Sequence, residues 1–317
     1  MPVKSSPPSA RIKKKTKLDG RIDGDYSDRK GYDSEFLGNK TVVPLPTVTG
    51  QTIESLAINQ KPAAKNSNTV PPYMLPYHHF SIAFNESRKI AQFTACNIDG
   101  PLEVDVARAD DKWSYDPRIP QSVQVGDAFY KKSPFDRGHL VRRLEPVYGD
   151  KKDSLSANFD TFHFTNCSPQ QHQFNERAEY WAGLENYILE NAKSNKKKVI
   201  LFTGPVLRSS DKIYREVQIP RQFWKVAVIL KSNGMLSATA YVVSQEKLLP
   251  SVLEKEFVYG AYKTYQVSIE QLENMTGLNF GQLSHFDPLT NKPGKTLTAK
   301  ALVKTVQEIK KYKDITL

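Results

Sequence analysis

The sequence predicts an α+β domain, and three features carry that reading. Short β-rich runs recur from about residue 77 onward, at His79–Phe84, Ile90–Ile98, Leu102–Ala107, Val199–Thr203, Glu216–Pro220, Phe223–Leu230 and Leu236–Val243. Val226–Leu230 is apolar without a break, as expected of a strand covered on both faces. Helical periodicity is clearest over Glu176–Ala192, where Trp181, Leu184, Ile188 and Ala192 recur at three- and four-residue steps. With 317 residues, 39% hydrophobic and 10% aromatic, the chain has material for a large core.

In chain order, residues 1–40 predict a disordered tail, basic at first and then mixed in charge, because almost no aliphatic residue is there to offset the entropy of ordering it. Residues 41–76 hold Pro44, Pro46, Pro62, Pro71, Pro72 and Pro76 among scattered apolar residues. That composition predicts an extended arm or linker. The folded domain is expected over 77–317. Within it, Ser268 and Gln271 predict a capping box opening a helix that Gly277 can stop. A last helix is expected from Thr298, with Leu302, Val306 and Ile309 on one face. No internal repeat is visible.

The net charge of +11, from 45 Lys+Arg against 34 Asp+Glu, points weakly to a polyanionic partner. Six of those charges (Lys4, Arg11, Lys13, Lys14, Lys15 and Lys17) lie in residues 1–18, which leaves +5 for the rest. Two cysteines, Cys96 and Cys167, cannot build a disulfide framework or a four-thiolate zinc site. There is no run of 18 apolar residues, and the first thirty residues lack a secretory apolar segment. An intracellular, cytoplasmic protein with no membrane partner is the expectation.

The chemistry is concentrated between Phe135 and Glu185. One cluster is Asp136-Arg137-Gly138-His139 followed by Leu140-Val141-Arg142-Arg143; the other runs through Phe164-Thr165-Asn166-Cys167-Ser168-Pro169-Gln170 to Asn175, Trp181 and Glu185. Phosphodiester hydrolysis needs a base near neutral pH, which imidazole supplies. It also needs cationic help for the charge on phosphorus, and a hard cation held by one or two oxygens. This window contains every one of those groups.

The tetrad at 136–139, Thr-Asn-x-x-Pro-Gln at 165–170 and the Asn…Trp…Leu-Glu series at 175–185 resemble the DNA/RNA non-specific endonuclease family over roughly Pro76–Lys311. The resemblance implies a mixed or antiparallel central sheet with a ββα-metal nuclease core. It implies Mg²⁺, with Mn²⁺ able to substitute, and cleavage of both DNA and RNA to 5′-phosphate products. His139 would be the general base, Asn175 the direct metal ligand, and Glu185 a carboxylate holding metal-bound water. Arg137 and Arg108 would face phosphate charge. Asp136, Gly138 and Asn166 would shape the site, with Gly138 giving the backbone freedom to turn before His139. Arg142 and Arg143 meet a phosphate or an acidic neighbour.

One departure stands out. Asn175 and Glu185 are two residues further apart than in the family pattern. In a regular helix they would be about 15 Å apart, so the helix between them must be interrupted, by a bulge near 177–180, with Glu176 and Glu179 in reserve for the carboxylate.

Other residues read more plainly. His163 and His285 are expected at the surface, and His78 and His79 in structural roles. Cys167 is expected to be a buried inert thiol. Trp181 and Trp224 belong to the core, while Trp113 could stack on bases. A catalytically inactive nucleic-acid-binding protein on the same fold is the rival to an enzyme. A homodimer is a further expectation from the family. So is control by an inhibitor or other partner acting through residues 1–76, since a non-specific nuclease without export would endanger its cell.

Overall fold

A computed structural model of the protein describes residues 24–38, 40–61, 70–106, 112–176, 181–246, 249, 264–290 and 306–309. The β-rich runs become an eight-stranded antiparallel sheet: β2 Met74–Pro76, β3 Phe80–Asn85, β4 Ile90–Asp99, β7 Lys198–Val206, β10 Gln222–Leu230, β11 Leu236–Ser244, β12 Thr264–Val267 and β14 Val306–Ile309. Their spatial order is β14-β12-β11-β10-β7-β4-β3-β2. Short strands β1 (Thr47–Val48) and β13 (Leu278–Asn279) form a separate ribbon, as do β5 (Phe135–His139) with β6 (Cys167–Gln171), and β8 (Ile213–Tyr214) with β9 (Val217–Gln218). Five helices complete the described fold: α1 Asp127–Tyr130, α2 Lys151–Asp160, α3 His172–Glu176, α4 Trp181–Ser194 and α5 Ile269–Thr276.

Strand alternation gives the sheet two apolar faces. On one, Phe93, Phe202, Trp224, Val226 and Val242 pack with α5 and with Phe36, Leu37, Val43, Val48 and Leu56 of the N-terminal segment. On the other, Phe80, Ile82, Leu201, Phe223 and Tyr241 pack with Trp181, Leu184 and Ile188 of α4. The two faces are therefore claimed by different parts of the chain. Five apolar side chains from 36–56 leave water on the face away from α4, each worth roughly 1.5–3 kcal/mol. A linker with no partner does not describe this segment.

The tail expectation is corrected in the same way for residues 24–38. Arg29 is 3% exposed and grips Asp160 at the end of α2, Nη2 to Oδ1 at 3.0 Å and Nε to Oδ2 at 3.1 Å. The Tyr26 ring lies between cations, 4.3 Å from the Arg29 guanidinium carbon and 4.2 Å from that of Arg118. Its hydroxyl meets His163 Nε2 at 2.6 Å. Composition missed this because the stabilising partners are charges and rings elsewhere in the chain, not aliphatic residues nearby. His163, expected at the surface, is fully buried, its Nδ1 2.8 Å from the Asp160 carbonyl.

Two helix expectations divide. Ser268 caps α5 by accepting from Gln271 N at 3.1 Å, and Gly277 ends it with φ of 68°. The last expected helix fails at its end: Val306–Ile309 is strand β14, paired antiparallel with β12, and 291–305 lie outside the described residues. A run that fits a helix period can still be taken by an open sheet edge. Helix α2 gave no periodic signal, yet the Asp150 side chain caps it by accepting from Lys152 N and Asp153 N.

Beneath Tyr26 lies a second buried pair. Arg118 Nη2 donates to Asp116 Oδ2 at 2.6 Å, and the Tyr77 hydroxyl donates to the same oxygen. Burial alone would raise the Asp116 carboxyl; the Arg118 charge and hydrogen bonds outweigh it and bring it to about 2 from an ordinary 3.8. Because the folded value is the lower one, this stabilisation is present above pH about 4 and lost as pH falls toward 2. It is worth about 2–3 kcal/mol. Asp116→Asn is therefore expected to flatten part of the loss of stability between pH 4 and 2, read as denaturant midpoint against pH; a wild-type acid slope in the variant would contradict it.

Candidate active site

The polar window folds into one hairpin and the helices beside it. Strands β5 and β6 pair antiparallel, setting Asp136 opposite Gln170, Arg137 opposite Pro169, Gly138 opposite Ser168 and His139 opposite Cys167. Alternation turns Phe135, Arg137 and His139 to one side, and Asp136 and Gly138 to the other.

The end of β5 is pinned by Asn166. Its side-chain oxygen accepts from Val141 N at 2.9 Å, and its Nδ2 donates to the carbonyls of Val141 and Thr161 at 2.8 and 2.9 Å. Its own carbonyl accepts from Leu140 N at 2.9 Å. The backbone just past His139 is thus held on both edges. The imidazole itself lies against rings, 4.7 Å from Trp113 and 5.1 Å from Phe162 between centroids.

Arg137 donates to Asp127 of α1, and its guanidinium carbon is 5.2 Å from the Tyr130 ring centre. On the opposite side of the hairpin, Asp136 Oδ2 gathers two groups from α3: His172 Nδ1 at 3.0 Å and Asn175 Nδ2 at 3.3 Å. That arrangement occupies the donor end of the Asn175 amide and leaves the oxygen end chemically able to ligate a cation. Among the described residues no three His, Cys, Asp or Glu side chains cluster to hold a metal. Mg²⁺ fits this donor set nonetheless, since it retains most of its waters and is content with one or two protein oxygens.

Glu185 belongs to a different group. It is 6% exposed on α4, with Oε1 3.3 Å from Lys225 Nζ and Oε2 3.9 Å from Arg142 Nε. Glu145 Oε1 approaches the same ammonium at 3.6 Å, and Glu145 Oε2 accepts from Arg142 N. Burial pushes the Glu185 carboxyl up, against the attraction of Lys225 and with repulsion from Glu145 adding to the rise. Arg142 therefore meets an acidic neighbour. Arg143 Nη1 donates to the Val106 carbonyl at 3.0 Å and to Asn158 at 3.1 Å.

Helix is described over His172–Glu176 and again over Trp181–Ser194. The expected bulge at 177–180, with Glu179, lies outside the described residues, as do Arg108 and the side chain of Glu176. Cys167 is buried beside the Tyr130 hydroxyl, and burial pushes its thiol up to about 12, so it is no nucleophile at neutral pH. Sequence reasoning missed Asp127, Glu145 and Lys225. For Lys225 a signal existed: it is the lone charge inside the apolar Phe223–Leu230 run.

The chain also resembles known proteins. The profile described as DNA/RNA non-specific endonuclease matches residues 59–285, well over half the chain. The chain belongs to the DNA/RNA non-specific endonuclease family. An uncharacterized protein, y4fB, of Sinorhizobium fredii is 38% identical over 80% of this chain, although the chain spans only 39% of that relative's length. A Nostoc protein named Nuclease is 26% identical over 78% of this chain and 86% of its own. Human mitochondrial endonuclease G is 26% identical over 56% of this chain and 59% of its own. The fold matches an endonuclease G in a crystal structure of the EndoG/EndoGI complex, with TM-score 0.51, 19% identity and coverage of 65% of this chain and 84% of that one. Among the described residues no helix is long and apolar enough to cross a membrane.

Gly138 has a role other than the expected turn. It lies mid-ladder, and a Cβ there would fall 2.1 Å from the Gln170 side-chain oxygen and 2.2 Å from its Cδ. The family glycine is needed for space. Gly138→Ala must push the buried Gln170 aside, at a cost of about 1–3 kcal/mol. A lowered thermal midpoint with reduced turnover is expected, and Gln170→Ala in the same background should recover part of the stability; an unshifted midpoint for Gly138→Ala would refute the steric reading.

Proposed function

We propose that the protein is a Mg²⁺-dependent endonuclease that hydrolyses phosphodiester bonds in DNA and RNA, leaving 5′-phosphates. The observation that carries this reading is the gathering of three separated motif segments into one hairpin-and-helix unit, with His139 and Asn175 on neighbouring elements. His139 takes a proton from the water that attacks phosphorus. Arg137 and Arg108 bear on the phosphate charge. Asn175 would supply the oxygen ligand to a bound cation, and Glu185 would orient water around it. A bound Mg²⁺, or Mn²⁺ in its place, would stabilise negative charge on the phosphoryl oxygens and the leaving group. Contacts confined to phosphates carry no sequence information, which suits a broad substrate range.

Plasmid DNA and RNA should be degraded with Mg²⁺ and spared with EDTA. His139→Ala is expected to lower turnover by about 10²–10⁴-fold. A variant that cuts as fast as wild type would overturn the mechanism.

The proposal includes restraint by an inhibitor or other partner. It is supported by the related fold having been solved in the EndoG/EndoGI complex, in which EndoG is inhibited. Residues 36–56 are committed to the face of the sheet away from α4, so the basic residues ahead of position 24 are the better candidates for that role. Removing residues 1–23 spares the Tyr26 and Arg29 contacts and is expected to raise turnover. Equal turnover would leave the tail without a regulatory part.

A further inference from the structure

We infer that Lys225 is a positioning residue that ties the strand carrying His139 to the helix carrying Glu185, and so sets how the site receives its cation. The inference rests on the nuclease reading above for the identity of the site, but not for its own test.

Lys225 stands in the middle of β10, opposite Thr203 on β7 and Tyr241 on β11, and none of its surface is exposed. An ammonium at such a place is costly unless every direction it faces is answered. Here one answer comes from the sheet and the others from the segments around the site. Its Nζ donates to the carbonyl of Leu140, the residue after His139, at 3.4 Å, and to Thr203 Oγ1 at 3.2 Å. It lies 3.3 Å from Glu185 Oε1 and 3.6 Å from Glu145 Oε1. It also sits 4.6 Å from the ring centre of Trp181 on α4.

Neither carboxylate Oε1 has an aligned hydrogen bond of its own. Both are close enough to the ammonium for ion pairing but off the hydrogen-bond direction, so Lys225 is the counter-charge that holds them. Arg142, on the far side of Glu185, completes two positive against two negative charges. A methionine would fill a similar volume and keep an apolar contact with Trp181, without the charge. What only the lysine provides is a link between the Leu140 carbonyl and the Glu185 carboxylate.

The test is a double-variant cycle read by Mg²⁺ binding, taken from the Mg²⁺ dependence of the thermal midpoint, beside cleavage kinetics. Lys225→Met is expected to weaken Mg²⁺ binding about tenfold, the range for groups that orient metal ligands, and to lower kcat with little change in KM. Glu185→Gln should do the same, and the double variant should be no weaker than either single one. If Lys225→Met does not fold, Lys225→Met with Glu145→Gln removes one charge of each sign and replaces it in the cycle. A folded Lys225 variant with a wild-type Mg²⁺ response overturns the inference. So does a double variant whose loss is the product of the two, or a wild type whose unfolding ignores Mg²⁺. Mg²⁺ binding with the expected cycle but no cleavage by wild type would leave the inference standing and remove the nuclease reading.

Discussion

The β5–β6 ladder decides where every reactive group can be, because its register fixes the side on which each one emerges. Slipping the pairing by one residue would exchange Asp136 and Gly138 for Arg137 and His139. The structure guards against that slip at both levels available to it. Gln170 fills the space left by the missing side chain of Gly138, so no bulkier residue can take that place in the ladder. Asn166 closes the end by spending its whole amide on backbone groups of Val141 and Thr161. The motif residues that touch no substrate thereby determine the positions of those that would.

The ladder must rest on a sheet with two apolar faces, and this explains the unusual number of buried charges around it. A polar group brought into such surroundings is stable only with a partner in place. Arg29 with Asp160, Arg118 with Asp116, and Lys225 with Glu145 and Glu185 are three versions of one solution. The first and third join segments far apart in sequence, while Arg118 and Asp116 are two residues apart, and each loses its stabilisation if one partner alone is removed. Such pairs add little net stability over an apolar replacement. Their effect is to fix the geometry of the elements they join.

How much of this was legible in the sequence follows from the range of the interactions involved. The apolar run of β10 and the Ser268–Gly277 helix are local patterns, and they read correctly. The site window is legible because its residue types are rare in combination. The packing of residues 24–38 is not, since Arg29 finds its carboxylate 131 positions away and a charge-rich stretch looks the same whether or not that partner exists. His163 fails for the same reason: nothing near it in sequence announces Tyr26 or burial. Val306–Ile309 fits a helical stripe, but β12 offers a row of unpaired backbone groups, and pairing there outweighs local preference.

Tyr26 also changes how control of the site can be understood. Its hydroxyl meets His163, and the backbone bridge between His163 and Ser114 adjoins Trp113, whose ring lies against His139. The N-terminal segment thus reaches the candidate base by a short series of packed groups and not by lying over it. A lid leaves the site intact when it opens. A buttress does not, because withdrawing Tyr26 would uncover the Arg118 and Arg29 guanidiniums and leave the buried His163 nitrogen without its partner. Any partner that draws Tyr26 or Arg29 away from these contacts would therefore have to disturb the fold itself, at a cost in buried polar groups.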